Sequence, residues 1–146
     1  MTRTLPSTNR SLPIALLRAR ERVMGPIRNL LSEANLTEQQ WRVLRVVQES
    51  GGIDPTQIAE QACLLLPSLT RILQKLDDKG LVSRARDTED RRRQIITITA
   101  AGEQVINDNI DASLALVART REKMGEARYE ALLDLLNELD QIDRSE

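Results

Sequence analysis

The chain has 146 residues, 40% of them hydrophobic, which suits one domain with a modest helical extension and is too apolar for a disordered chain. It has no His and one Cys, Cys63, which excludes histidine-based triads, histidine-ligated metals and an intrachain disulfide, and no cofactor is expected. The net charge is -1, but residues 1–102 carry 16 Lys+Arg against 11 Asp+Glu, and residues 103–146 carry 5 against 11. A basic front and an acidic tail imply that one part of the fold faces a polyanion.

Residues 1–10, MTRTLPSTNR, lack the apolar run and cleavage site of a signal peptide and read as a flexible start. No run approaches the roughly 18 apolar residues of a membrane span, so a cytoplasmic location is expected. From Leu12 to about Glu33, Leu16, Ala19, Val23, Ile27 and Leu30 recur three or four apart and predict an amphipathic helix, with Pro26 inside it as a possible bend. Thr37–Gln40 has the form of a capping box. It opens a second helix to about Glu49, with Trp41, Leu44 and Val47 on one side.

Asp54 as a cap and Pro55 at the first helical position start a short third helix ending near Ala62. Cys63 follows and is expected to be a buried small hydrophobe. A fourth helix from about Pro67 to Lys79 buries Leu69, Ile72, Leu73 and Leu76 and is stopped by Gly80. The period then changes. Leu81–Arg86 alternates, and Arg93–Thr99 is rich in Ile and Thr, so two strands and a charged loop form a hairpin. Thr99 caps a long helix to about Lys123, Gly125 breaks it, and a last helix from Glu126 to about Ile142 carries Leu132, Leu133, Leu136 and Leu139.

This order predicts a mainly α fold, a winged helix-turn-helix with long N- and C-terminal dimerisation helices. The DNA-binding lobe would span 35–99, and the dimerisation region 11–34 with 100–146. The terminal helices have more apolar face than a small core needs, which suggests a homodimer.

The second helix of a helix-turn-helix lies in the major groove. With its leucines buried, the fourth helix turns Ser68, Thr70, Arg71, Gln74 and Lys75 outward. All five can donate hydrogen bonds, Arg71 best to guanine and Gln74 best to adenine, while the helix N-terminus offers N–H groups to a phosphate. The hairpin loop places Arg91, Arg92 and Arg93 together, as suits the focused negative potential of a minor groove, with Asp90 beside them to steer one by pairing with it, or with Arg84 or Arg86. Solvated charged faces are the plain alternative at both places.

The stretch Leu66–Thr99 resembles the recognition helix and wing of the MarR family. Asp90, Arg92, Ile98, Thr99 and Gly102 match the family's wing pattern, with Ile for Leu. The resemblance covers nearly the whole chain in element order. It implies a transcriptional regulator rather than an enzyme, a homodimer on a pseudo-palindromic double-stranded operator, and Arg92 as the wing arginine that enters the minor groove. Residues 11–24, 36–47 and 62–73 further resemble the family's regulators of homoprotocatechuate (hydroxyphenylacetate) degradation. Those repress aromatic-acid catabolic genes and release DNA when an aromatic acid binds.

That resemblance implies a small aromatic carboxylate effector, which needs a cationic anchor and an apolar wall. Arg20, beside Ala19 and Val23 of the apolar stripe, is the expected anchor, and Trp41 the wall with Cys63 behind it. A Trp on an apolar stripe is more often core, and an Arg on a helix surface is ordinary. A winged-helix protein–protein adaptor without specific DNA binding is the alternative function.

Overall fold

The computed structural model describes residues 3–144. The ends of the expected flexible start and of the C-terminal dimerisation region, residues 1–2 and 145–146, lie outside the described residues. One 3-10 turn, Thr8–Arg10, precedes six helices and two strands: α1 (Leu12–Glu33), α2 (Glu38–Ser50), α3 (Pro55–Gln61), α4 (Leu66–Asp78), β1 (Val82–Arg86), β2 (Gln94–Ile98), α5 (Ala100–Met124) and α6 (Glu126–Gln141). The fold is mainly α with a two-stranded wing. Among the described residues no helix is long and apolar enough to cross a membrane.

The described residues form two compact units, divided between Ile110 and Asp111. In the first, Leu31 of α1, Val43, Leu44 and Val47 of α2, Ile58 of α3, Leu69, Leu73 and Leu76 of α4, Ile96 of β2 and Ile106 of α5 share one buried core. Side chains of this kind contribute about 1.5–3 kcal/mol each on full burial. Ile72, expected in the same stripe, is only half-buried. α1 runs unbroken through Pro26.

Local signals set the helix ends. Thr37 accepts from the Gln40 N–H at 3.1 Å and its own N–H donates to Gln40 Oε1 at 3.2 Å, a reciprocal cap for α2. The Asp54 carboxylate accepts from the Gln57 N–H at 2.9 Å and caps α3. Gly80 (φ 74°) takes the left-handed position after α4, where a side chain would be strained. Its N–H reaches the Asp77 carbonyl at 2.9 Å, and that of Leu81 the Leu76 carbonyl at 2.9 Å.

The same left-handed stop follows α3, but there the residue is Cys63 (φ 56°), with Leu64 N–H bonded to the Ala59 carbonyl at 2.9 Å. The turn directs the thiol to solvent. Cys63 is exposed, which corrects the expectation of a buried small hydrophobe.

β1 and β2 pair antiparallel from Val82↔Ile98 to Arg86↔Gln94. A further pairing on the other edge of β2 was not legible in the sequence: Ile53, between α2 and α3, exchanges two backbone hydrogen bonds with Ile96, at 3.1 and 2.8 Å. At the other end of the wing, Thr99 Oγ1 donates to the Gly80 carbonyl at 2.7 Å and accepts from the Gly102 N–H at 3.1 Å. One side chain thus joins the end of α4, the base of the wing and the first turn of α5.

In the second unit, every described residue of α6 except Tyr129 is exposed, including Leu132, Leu133, Leu135, Leu136 and Leu139. Arg121 joins α5 to α6 there, pairing with Glu126, with Glu130 at 2.7 Å, and with the Tyr129 ring 4.3 Å from its centroid.

Candidate nucleic-acid interface

α4 is built to be read from one side. Leu69, Leu73 and Leu76 are buried, so the helical period leaves Thr70, Arg71, Gln74 and Lys75 exposed, while Ser68 is half-buried. Two of these side chains are already engaged. Thr70 Oγ1 donates to the Leu66 carbonyl at 3.0 Å. Gln74 Nε2 donates to Asp78 Oδ1 at 2.9 Å, and its Oε1 lies 3.5 Å from the Arg84 guanidinium.

Arg84, one of the arginines expected as a partner for Asp90, is held by Asp77 instead. It stands on β1 with its Nε 3.5 Å from Asp77 Oδ2. Asp77 and Asp78 lie at the C-terminal end of α4, where the helix dipole disfavours anions. The Arg84 charge offsets that cost and ties the wing to the helix. The signal was present as a cation on the strand following an acidic helix end.

The wing loop is held by its own backbone. Asp87 N–H donates to the Arg93 carbonyl at 2.8 Å, Arg93 N–H to the Asp90 carbonyl at 3.0 Å, and Arg86 Nη1 to the Arg91 carbonyl at 2.7 Å. Asp90 Oδ1 accepts from the Arg92 N–H at 3.1 Å and lies 3.9 Å from Arg92 Nε. The three arginines therefore differ. Arg91 is exposed, and the Arg92 side chain is 98% exposed on a tethered backbone. Arg93 is turned back to Asp54, the cap of α3, at 3.2 Å.

The residues expected to hold an effector stand at three places: Arg20 on α1, Trp41 on α2 and Cys63 just after α3. Arg20 pairs with Glu38 at the start of α2, and the same carboxylate accepts from Arg28 Nε at 3.0 Å. Arg28 also binds Glu21 through two hydrogen bonds, at 2.9 and 2.6 Å. Burial pushes the Glu38 carboxyl up, but the hydrogen bonds from Arg28 and Arg20 outweigh it and hold it below the usual range. Trp41 is half-buried against the core, and Cys63 is exposed on the turn after α3. A depression on α6, lined by Asp134, Asn137, Glu138, Gln141 and Ile142, involves none of the three.

Residues 36–93, which contain α2 to the wing loop, match the MarR family. The chain is 39% identical over 140 residues to the HTH-type transcriptional regulator FarR of Neisseria gonorrhoeae, covering 94% of each chain. This chain belongs to the MarR family. It is a sequence-specific DNA-binding transcriptional regulator and not an enzyme. It is also 44% identical over 97 residues to the homoprotocatechuate degradative operon repressor of Escherichia coli, covering 66% of each chain. The crystal structure of NadR in complex with 4-hydroxyphenylacetate has the same fold, with a TM-score of 0.86 and 38% identity over 97% of this chain and 100% of that one.

Proposed function

We propose that this MarR-family chain is a repressor that binds a pseudo-palindromic operator as a homodimer and releases it when a small aromatic carboxylate binds. One observation carries the DNA-reading part. The exposed row Thr70, Arg71, Gln74 and Lys75 on α4 stands over a fully buried leucine stripe, beside a wing whose Arg92 is almost wholly exposed. Arg71 and Lys75, which α4 leaves exposed, meet base edges and phosphates in the major groove, with Ser68 at the entrance and Gln74 held ready by Asp78. Arg92, supported by Asp90 and flanked by Arg91, enters the minor groove; Arg93 steadies the wing against α3. Such a protein works in the cytoplasm, with its DNA.

Titration of duplex DNA at rising salt tests this. Neutralising several phosphates makes affinity fall steeply with salt, whereas a winged-helix adaptor has little such dependence. Salt-insensitive binding, or no preference among duplexes, overturns the reading. The second copy is supported by unpartnered apolar side chains in each unit: Leu12, Leu16, Leu17 and Val23 on α1, and Leu114, Leu133, Leu136 and Leu139 on α5 and α6. A monomer in sedimentation equilibrium at micromolar concentration that still binds an operator tightly refutes it.

The effector reading is supported by the similarity to the E. coli homoprotocatechuate degradative operon repressor and to NadR crystallised with 4-hydroxyphenylacetate. Arg20 is the cation that a ligand carboxylate competes for against Glu38, at the place where α1 meets α2. Trp41 lies one turn further along α2, and Cys63 lies at the far end of α3. Preferential binding to the form whose recognition helices no longer match grooves about 34 Å apart would lower DNA affinity by roughly 1–3 kcal/mol. Phenylacetates, benzoates and cinnamates titrated against the complex test this. The assignment fails if none shifts affinity, or if Arg20→Ala leaves an active ligand's response intact.

A further inference from the structure

The first turn of α4 breaks a local rule that α2 and α3 obey. Thr37 and Asp54 cap those helices through their side chains. The corresponding residue of α4 is Leu65, which makes no side-chain cap and stands 77% exposed. Leu ranks far below Ser, Thr, Asp and Asn at that position. Leu66 follows at 46% exposed. Neither residue contributes to the core, so the chain gives up a cap and keeps two leucines in water at one end of one helix. Local rules are broken in this way at functional sites.

Thr70 extends the feature. It lies one turn after Leu66 on the same row of the helix, and its hydroxyl is spent on the Leu66 carbonyl at 3.0 Å. Its γ-methyl is then the group left for a partner. The N-terminal half of the Leu66–Thr70–Gln74 row is thus apolar, and it adjoins Arg71. The N-terminal residues of a recognition helix are those that reach base edges, and the apolar group exposed on base edges in the major groove is the C5-methyl of thymine. A protein surface or a second copy would also cover leucines, but the position on α4, continuous with the cationic row Arg71 and Lys75, favours DNA.

We infer that Leu66, together with the methyl of Thr70 and flanked by Leu65, reads thymine methyls in the major groove, so that operator choice by this chain includes an apolar step. This rests on α4 being the recognition helix, as proposed above. Leu66 and Thr70 discriminate thymine from cytosine and from uracil by contact with one carbon, without a hydrogen bond.

The test uses the full-length protein and a duplex it selects from a random library. Each thymine of a half-site is replaced in turn by deoxyuridine, which lacks only the C5-methyl, and affinity is read by fluorescence anisotropy. Burying one such carbon is worth roughly a fourfold change in affinity. The wild type should lose about that much at one or two thymines per half-site. Leu66→Ala should bind the thymine and uracil duplexes alike, and Thr70→Ser, which keeps the hydroxyl and removes only the methyl, should show a reduced penalty. The inference is overturned if the wild type prefers its selected duplex to a scrambled one but ignores every uracil, or if the selected half-sites lack thymine; the regulator reading then stands. It is also overturned if Leu66→Ala and Thr70→Ser keep the full penalty, or if Leu66→Ala alters self-association in sedimentation equilibrium while the penalty remains. Absence of any preference for the selected duplex overturns both readings.

Discussion

Gly102 sits in the first turn of α5, where that helix meets the base of the wing, and Gly102→Ala measures how tightly the two are joined. A Cβ there would lie 2.3 Å from the Leu81 carbonyl oxygen, 2.6 Å from Ile98 Cγ1 and 3.2 Å from Ile98 Cδ1. The Ile98 side chain can rotate away. The Leu81 carbonyl cannot, because it accepts from the Thr99 N–H at 3.1 Å and its own residue's N–H is bonded to the Leu76 carbonyl at 2.9 Å. A carbon–oxygen contact settles near 3.3–3.6 Å, so helix and hairpin must part by about 1 Å. Overpacking of this kind costs typically about 1–3 kcal/mol, and a backbone obstacle places it toward the upper end. Ala in place of Gly inside a helix returns about 1 kcal/mol. The expected net loss is therefore about 1–2 kcal/mol, read as a lower urea midpoint with an unchanged m-value. A variant as stable as the wild type, or more stable, would mean that helix propensity outweighs the contact and would refute the close approach.

Arg92→Ala should weaken operator binding roughly tenfold, the scale of one charge-assisted hydrogen bond, with an unchanged circular dichroism spectrum; an unchanged gel-shift affinity removes the wing role. Arg71→Ala should cost roughly 1–3 kcal/mol on the selected duplex and less on scrambled DNA, and equal loss on both would make Arg71 a phosphate contact only. Glu38 has a folded pKa below its ordinary 4.5, so its contribution to stability is complete above that value and is lost as pH falls through the lowered one. Glu38→Gln should therefore be less stable than the wild type at neutral pH, with the gap closing below about pH 4.5 in urea midpoints taken against pH. A constant gap at every pH would refute the ion-pair account. Cys63 should react with an aromatic disulfide reagent in the native protein as fast as in the unfolded chain, and protection by folding would contradict its exposure.

The helices, the wing and the side of α4 that faces outward are all legible in the sequence, because each depends on neighbours a few residues away. The capping residues Thr37 and Asp54, the period of the leucines in α4 and the change to alternating Ile and Thr act over one or two turns. Gly80 marks the end of α4 for the same reason, whereas α3 ends in the same left-handed turn on Cys63, a residue with no such signature, and the exposure of its thiol could not be read in advance.

What the sequence leaves open is which charge meets which. Arg91, Arg92 and Arg93 are equivalent as a run of letters. Folding brings Asp54, 39 positions upstream, to Arg93, whereas Arg92 lies 3.9 Å from Asp90, its neighbour two positions away. In the same way Glu38 reaches back across the α1–α2 turn to Arg20 and Arg28, and Arg84 reaches the end of α4. Ion pairs of long, flexible side chains have no period and no local propensity, so only the packing of the core, which fixes where each backbone lies, decides between them.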